Sequence, residues 1–214
     1  GKADTPLTAA VVMPPVTDFY TTLHRFSGLG TAILSRCLEK TGCRVFSFDF
    51  PSAAKKPAVL ALPDALSYLR PYLVENETGK LAFFTRYQRF GPAIPNCADH
   101  VLAVLPDLVF ISCFAFCYAK ETIDIARIIH SRSPHTILIV GGAGVSAYPE
   151  FFLRKAPIDF AVTGEAEVSI GLLLNAIRAG NGNFSQVPNL YRKTDAGVIA
   201  PSRRVFTKAE DIGF

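Results

Sequence analysis

Continuous apolar runs alternate along the chain with segments in which apolar residues recur every three or four positions. The runs predict buried β-strands, and the helical spacing predicts amphipathic α-helices. The predicted strands are Ala9–Met13, Arg44–Phe50, Asp107–Ser112, Thr136–Val140 and Asp159–Thr163. The predicted helices are Gly28–Thr41, Ala98–Leu105, Lys120–Ser131, Ser146–Lys155 and Glu167–Ala179. Strands that are apolar throughout, with helices between them, indicate a parallel sheet that is covered on both faces.

These five units predict an α/β fold with a doubly wound, five-stranded parallel sheet of the flavodoxin-like or Rossmann-like class. Right-handed crossovers restrict the topology, and 2-1-3-4-5 is the strand order expected for five such units. Sheets of this kind bind ligands at the carboxyl ends of their strands. The residues that follow strands one, three, four and five are therefore the candidates for function.

Residues 51–97 depart from the regular alternation and predict an insertion after strand two. Within it, Leu62–Leu73 has helical spacing, and Leu81–Phe90 fits either a strand or an aromatic-rich loop. Tyr87–Pro92 is a candidate cover for a ligand or docking point for a partner domain. The alternative is an aromatic patch lying over the core.

The C-terminal part predicts a β-hairpin outside the main sheet. Two strands, Asn189–Lys193 and Val198–Ala200, are joined through the turn sequence Asp195-Ala196-Gly197. We therefore divide the chain into an α/β domain over residues 1–182 and a hairpin with a linker over 183–214.

Composition and charge exclude several classes of protein. Half of the residues are apolar and 19% are charged, a balance that excludes intrinsic disorder. The formal charge of +4 is too small to indicate a nucleic-acid partner. The longest apolar stretch, Leu108–Ala119, is interrupted by Ser112 and is shorter than the ~20 residues of a membrane span. We expect no membrane partner and no secretory signal.

Five cysteines are scattered through the sequence, and an odd number argues against a disulfide framework. A reducing cytoplasm is the expected location. Cys113 and Cys117 form the one close pair, but no second pair or neighbouring histidine completes a zinc site. We interpret them as two small apolar residues.

Small side chains follow three of the predicted strands. The three segments are Ser112-Cys113-Phe114, Gly141-Gly142-Ala143-Gly144 and Thr163-Gly164-Glu165-Ala166-Glu167. Neighbouring strand ends without bulky side chains predict a slot that accepts the tail of a ligand. The alternative is that the glycines only turn the chain. Their spacing, and their place after strand four, do not fit a dinucleotide-binding loop.

The segments after strands three and four resemble the cobalamin-binding fold. That fold has Ser-x-Leu after its third strand and Gly-Gly after its fourth. Here Ser112-Cys113-Phe114 is followed, after residues 115–140, by Gly141-Gly142, which is the spacing of that family. Phe114 replaces the leucine and remains apolar.

A longer series of motifs resembles the N-terminal domain of cobalamin-dependent radical SAM enzymes. The series is Gly141-Gly142, Ser146-Ala147-Tyr148-Pro149, Pro157-Ile158-Asp159-Phe160 and Gly164-Glu165-Ala166-Glu167. The hairpin that follows is also similar to that family. The match is good over residues 105–205 and loose over 8–50.

The resemblance implies that cobalamin binds base-off, with its dimethylbenzimidazole tail between the strands and its corrin ring over their carboxyl ends. The implied cofactor-binding residues are Ser112, Cys113, Phe114, Gly141, Gly142, Gly144, Val145, Thr163, Gly164 and Glu165. The small residues would leave space for the tail. Phe114 and Val145 would make apolar contact with its ring, and the Ser112 hydroxyl would donate a hydrogen bond to a polar atom. Glu165 would accept hydrogen bonds from corrin amides, or else serve only as a charge at a helix N-terminus.

Two motifs are missing. Asp18, His24 and Gly28 do not have the Asp-x-His-x-x-Gly spacing that places a histidine on cobalt, so His24 is either a cobalt ligand or a solvated or capping residue. No Cys-x-x-x-Cys-x-x-Cys is present to hold a [4Fe-4S] cluster. We expect the cluster and S-adenosylmethionine in a C-terminal radical SAM domain of a longer enzyme, a methyltransferase or a catalyst of radical rearrangement, without which this fragment is inactive.

Two rival classes share the fold. A receiver module needs acidic residues after strand one and an aspartate after strand three, where this chain has Pro14-Pro15 and Ser112-Cys113. A flavin-binding domain needs a phosphate loop rich in Ser and Thr after strand one. Thr17, Thr21, Thr22 and Ser27 leave that class open.

Overall fold

The computed structural model describes residues 6–19, 28–53, 56–74 and 84–206. The strands within these ranges are β1 (Thr8–Met13), β2 (Val16–Asp18), β3 (Arg44–Asp49), β4 (Ala58–Val59), β5 (Gln88–Phe90), β6 (Leu108–Ser112), β7 (Ile137–Gly141), β8 (Phe160–Val162), β9 (Leu190–Thr194) and β10 (Gly197–Ile199).

The helices are α1 (Leu29–Lys40), α2 (Phe50–Ala53), α3 (Ile94–Leu102), α4 (Ala119–Arg132), α5 (Ala143–Ala147), α6 (Pro149–Lys155) and α7 (Glu167–Ala179). Two 3-10 segments cover Asp64–Tyr72 and Phe116–Tyr118. The single helix predicted over Ser146–Lys155 is thus two helices, because Tyr148 takes an extended φ of −144° just before Pro149.

The main sheet has the order β10-β9-β8-β7-β6-β1-β3. Its five parallel strands, β3-β1-β6-β7-β8, follow the predicted order 2-1-3-4-5. The predicted α/β class is therefore correct. The hairpin was wrongly expected outside this sheet, because β9 pairs antiparallel with β8 and β10 with β9. This pairing satisfies the backbone groups along β8, which would otherwise form an open edge.

A second sheet is small and antiparallel, with the order β2-β5-β4. It joins the segment after β1 to the 51–97 region. Leu62–Leu73, predicted to be helical, contains a 3-10 segment instead. Phe90 is completely buried, and the Tyr87 ring lies 5.2 Å from the Phe19 ring. Phe90 is therefore packed inside the protein, and Tyr87 packs against Phe19.

Each face of the main sheet carries its own apolar core. Alternate residues of β1 point to opposite faces: Ala10 and Val12 contact the side of α3, α4 and α6, whereas Ala9 and Val11 contact the side of α1 and α7. Among the described residues, no helix combines the length and apolar character needed to cross a membrane.

Candidate cofactor-binding cleft

A cleft of about 310 Å³ opens at the carboxyl edge of the parallel strands, between the sheet and helices α1 and α7. Its apolar walls are formed by Val11, Leu29, Ile33, Leu34, Phe110, Ile139, Val162 and Ile170. Ser112, Gly141, Gly142, Gly164 and Glu165 line its floor and rim. Five of the ten residues predicted for a ligand site are therefore brought together here.

The register of the strands explains which side chains line the floor of the cleft. Ser112 of β6 pairs with Gly141 of β7, which pairs with Val162 of β8. Two residues deeper, Phe110 pairs with Ile139 on the same face. Large apolar side chains thus close the bottom of the cleft, and small ones leave its upper part open.

Gly141 leaves this space because it has no side chain. A Cβ atom added there would lie 3.6 Å from the carbonyl oxygen of Val162, an ordinary contact. The backbone at this position therefore does not require glycine. The absent side chain is instead what keeps the cleft open between Ser112 and Val162.

Glycine is present at position 142 for a different reason. Its φ is +105°, and an added Cβ atom would lie 2.7 Å from the carbonyl oxygen of Cys113. The turn between β7 and α5 lies directly against the segment after β6, where the Gly144 N–H donates to the Cys113 carbonyl over 2.9 Å. Here glycine is needed because two backbone segments approach closely.

Ser146 ties two strand ends together beside the cleft. Its hydroxyl donates to the Gly142 carbonyl over 3.0 Å and accepts from the Gly164 N–H over 2.8 Å. The turns after β7 and β8 are thereby held at a fixed separation. This hydroxyl positions two of the backbone segments that line the cleft.

Polar groups are few in the cleft. The Thr31 hydroxyl donates to the Gly28 carbonyl over 2.8 Å and is therefore engaged. Within the part of the chain that the structure describes, no hydrogen-bond partner is found for the Ser112 hydroxyl, which faces the cleft. Glu165 and Glu167 lie at the rim, next to the N-terminus of α7, where an acidic side chain is favoured by the helix dipole.

The other five predicted residues do not line the cleft. Cys113 and Val145 belong to the core on the opposite face of the sheet, and the Cys113 thiol donates to the Ala115 carbonyl over 3.2 Å. Gly144 contacts that same segment, and the Phe114 ring lies 4.8 Å from the Tyr118 ring. The Thr163 hydroxyl donates to the Asn189 carbonyl over 3.2 Å.

The placement of Cys113 follows from alternation, since it comes one residue after Ser112 and points to the other face. Gly144 and Val145 lie on helix α5. Burial raises the pKa of the Cys113 thiol to about 11. His24 lies outside the described residues. Within those residues, no group of three or more His, Cys, Asp or Glu side chains is arranged to hold a metal ion.

Sequence reasoning missed the wall that α1 provides. Leu29, Ile33 and Leu34 lie at helical spacing in the predicted helix Gly28–Thr41, to which no role in a site was assigned. Apolar periodicity marks the face that a helix turns inward, but it does not separate core contacts from the wall of a cleft. No signal in the sequence distinguishes the two.

A polar cluster lies on the far side of the strand ends, between β2 and α4. The Tyr118 hydroxyl donates to the Asp18 carboxylate, and the Thr17 hydroxyl donates to the Glu121 carboxylate. Glu121 is only 9% exposed. Its burial raises the pKa of that carboxyl, against the lowering effect of the Thr17 hydrogen bond. These contacts fix β2 against the start of α4.

A comparison with protein families matches residues 92–174 to the B12 binding domain. This part of the chain is thus similar to a B12-binding domain. The matched residues include β6, β7 and β8, the strands whose ends floor the cleft. The family predicted from the motifs between Ser112 and Glu167 is thereby confirmed.

Two curated relatives point to the same group of enzymes. The chain is 26% identical over 146 residues to the cobalamin-dependent radical SAM methyltransferase TokK of Streptomyces tokunonensis, covering 67% of this chain and 21% of TokK. It is 29% identical over 108 residues to the 2-(S-pantetheinyl)-carbapenam-3-carboxylate methyltransferase of Streptantibioticus cattleyicolor, covering 49% of this chain and 16% of that enzyme. The chain thus spans about a fifth of the length of these relatives.

Solved structures share the fold. The radical S-adenosylmethionine methyltransferase TsrM from Kitasatospora setae, with cobalamin and a [4Fe-4S] cluster bound, superposes with a TM-score of 0.62 at 18% identity over 97% of this chain and 30% of TsrM. The cobalamin-dependent S-adenosylmethionine radical enzyme OxsB, with aqua-cobalamin bound, gives a TM-score of 0.61 at 17% identity over 96% of this chain and 23% of OxsB. The B12-binding domain therefore has the Rossmann-like fold of these proteins.

Proposed function

We propose that this B12-binding domain binds cobalamin base-off, with the detached nucleotide arm in the cleft between the sheet and helices α1 and α7. The single observation that carries the proposal is the open cleft at the carboxyl ends of the strands, with Ser112 and Gly141 on its floor. A pocket with apolar walls and one or two polar groups is suited to an aromatic base.

The residues present fit such a group. Phe110, Ile139 and Ile170 offer apolar surface in the cleft, and the missing side chain at Gly141 gives clearance. The Ser112 hydroxyl has no partner among the described residues and is placed to bond a polar atom of the arm. Glu165 at the rim would accept hydrogen bonds from amides of the corrin ring.

When bound, cobalamin supplies a cobalt centre able to carry a methyl group. The residues of this chain would hold the arm, orient the corrin over the strand ends and exclude water from the apolar cleft. We infer that the whole protein is a radical SAM methyltransferase, because TokK carries that name. A [4Fe-4S] cluster and S-adenosylmethionine would then be bound by a separate radical SAM domain, its partner in the same enzyme.

The five cysteine thiols are all free, and Cys117 is exposed. An exposed thiol is stable in a reducing compartment. We infer that the protein works in the cytoplasm.

The proposal is tested by incubating the chain with hydroxocobalamin, desalting it and recording the visible spectrum. We expect the protein to retain corrinoid with a base-off spectrum. Cobinamide, which lacks the nucleotide arm, should bind at least about tenfold more weakly, since it leaves the cleft empty. FMN, the ligand of the rival flavin-binding class, should be lost on desalting.

Two results would overturn the proposal at different points. If the folded chain retains no corrinoid, cobalamin binding itself is wrong. If cobinamide and cobalamin bind equally well, the domain binds corrinoids but the cleft does not hold the arm. Circular dichroism before and after desalting establishes that the fold is intact in both cases.

A further inference from the structure

Asn189 occupies an unusual position between the cleft and the segment that follows the hairpin. It precedes β9, is 3% exposed and has a left-handed backbone with φ of +60°. Apart from glycine, asparagine is among the residues that best tolerate this conformation. The backbone explains why a short polar residue stands here, but not why its amide is buried.

The amide group of Asn189 bonds both backbone groups of Val205. Its Nδ2 donates to the Val205 carbonyl over 2.7 Å, and its Oδ1 accepts from the Val205 N–H over 2.8 Å. The backbone N–H of Asn189 also donates to the Arg203 carbonyl over 3.0 Å. One residue thus makes three hydrogen bonds that dock residues 203–205 on the domain.

The backbone carbonyl of Asn189 is bonded to Thr163 instead. It accepts from the Thr163 N–H over 3.0 Å and from the Thr163 hydroxyl over 3.2 Å. Thr163 directly precedes Gly164 and Glu165, which line the cleft. Asn189 is therefore bonded on one side to the rim of the cleft and on the other to residues 203–205.

We propose that Asn189 is a positioning residue that couples occupancy of the cleft to docking of the 203–205 segment. The proposal rests on the proposed function, because its ligand is cobalamin. A cofactor that orders Gly164 and Glu165 would stabilise the Asn189 carbonyl contacts, and hence the docked segment. Docking of the segment would in turn tighten cofactor binding, because coupling between two sites is reciprocal.

Trypsin reports on the docked segment directly. It cleaves after Arg203 and Arg204, and it needs an extended, released segment in order to do so. With saturating hydroxocobalamin, we expect cleavage at these two bonds to slow at least about fivefold. Cleavage at other arginines and lysines, followed by mass spectrometry in the same digest, corrects for changes in global stability.

Asn189→Gly is the informative variant, since glycine keeps the left-handed backbone and removes only the side-chain bonds. Cleavage after Arg203 and Arg204 should be about tenfold faster without cofactor, as expected for two lost hydrogen bonds. Hydroxocobalamin should no longer protect these bonds, and its dissociation constant should rise about fivefold. Tyr191→Phe is the control, because it removes only the 2.7 Å bond from Arg204 to the Tyr191 hydroxyl. That variant should keep the protection by cofactor.

The outcomes separate the two proposals. If wild type binds cobalamin but protection at Arg203 and Arg204 is absent, or unchanged in Asn189→Gly, Asn189 has only a structural role and the coupling is wrong. Equal loss of protection in Tyr191→Phe also overturns it, since the coupling would then run through the hairpin as a whole. If wild type binds no corrinoid, the proposed function fails and the coupling fails with it.

Discussion

Ser112 and Gly141 are paired across the neighbouring strands β6 and β7, and together they leave the upper part of the cleft open. The next pair on the same face, Phe110 with Ile139, closes the bottom. A change from large to small side chains over one strand repeat therefore sets the depth of the cleft. Gly141 is central to this arrangement, because its backbone would accept a side chain and only the cleft would lose space.

We predict that Gly141→Leu strongly weakens cobalamin binding while the domain remains folded. The added side chain projects between Ser112 and Val162 and fills the space assigned to the nucleotide arm. Equilibrium dialysis with hydroxocobalamin should show a dissociation constant at least about a hundredfold higher, as expected for losing a buried aromatic base. Thermal unfolding should shift by only a few degrees.

The control is Gly171→Ala in α7, where an added Cβ atom meets nothing within 4 Å. This change should stabilise the helix by about 1 kcal/mol and leave binding unchanged. Normal cobalamin affinity in folded Gly141→Leu would show that the arm lies elsewhere.

A second prediction distinguishes the role of Ser112 in cobalamin binding from the role of Ser146 in stability. Ser112→Ala removes a hydroxyl without a described protein partner, so stability should stay within about 0.5 kcal/mol of wild type. Cobalamin affinity should fall about tenfold, because one hydrogen bond to the ligand is lost. Urea denaturation and equilibrium dialysis measure the two quantities on the same samples.

Ser146→Ala should show the opposite balance. It breaks the bonds to Gly142 and Gly164 and leaves a backbone N–H without its acceptor, which costs about 1–2 kcal/mol of stability. The idea that Ser112 faces the ligand fails if its alanine variant loses stability and keeps full affinity.

The parallel sheet was predictable because apolar runs and helical periodicity report burial directly. That Ser112, Gly141, Gly142, Gly164 and Glu165 share one edge of the sheet was predictable because small or polar residues stand where strands end. Cys113 and Val145 were included with them because the resemblance implied that they bind the cofactor. In the structure both belong to the core on the opposite face of the sheet. Cys113 does so because one residue along a strand reverses the direction of the side chain, whereas Val145 lies on helix α5.

The hairpin shows another limit of local information. Asp195-Ala196-Gly197 marks a turn between two short strands, and that turn exists. Turn chemistry does not say which edge the hairpin will pair with. That choice depends on β8, whose outer edge would be unpaired without Leu190–Thr194.

Cysteine reactivity should follow burial. Cys117 is exposed, whereas Cys97 and Cys113 are 0% and 1% exposed, and burial raises their pKa values to about 12 and about 11. Since the thiolate is the reactive form, iodoacetamide at pH 8 should modify Cys117 about a hundredfold faster than either buried thiol. Peptide mass spectrometry over a time course measures the three rates.

In guanidinium the three thiols should react at similar rates, which is the control for intrinsic reactivity. Equal labelling of Cys113 and Cys117 in the native protein would mean that the segment after β6 opens readily. Such opening would be inconsistent with the close approach of the Gly142 and Cys113 backbones.

Glu121 gives the last prediction, a pH dependence of stability. Burial raises the pKa of its carboxyl above the ordinary value of 4.5, so the folded state holds the proton to a higher pH than the unfolded state does. As the pH rises above 4.5, the unfolded state loses its proton first, and the free energy of unfolding falls until the folded-state pKa is passed. The direction of this contribution is therefore opposite to that of an ion-paired carboxylate.

Glu121→Gln removes the ionisation and keeps an oxygen that can accept from Thr17. The stability of this variant relative to wild type should rise between pH 4.5 and 7.5, as measured by urea denaturation at several pH values. Lys120 and Asp124, which also act on this carboxyl, are unchanged in the variant. Glu150→Gln on α6 is the matched control, since Glu150 is half-exposed beside Arg154 and its removal should cost less than about 1 kcal/mol at any pH. A difference between Glu121→Gln and wild type that stays constant with pH would show that the carboxyl at position 121 is hydrated in the folded protein.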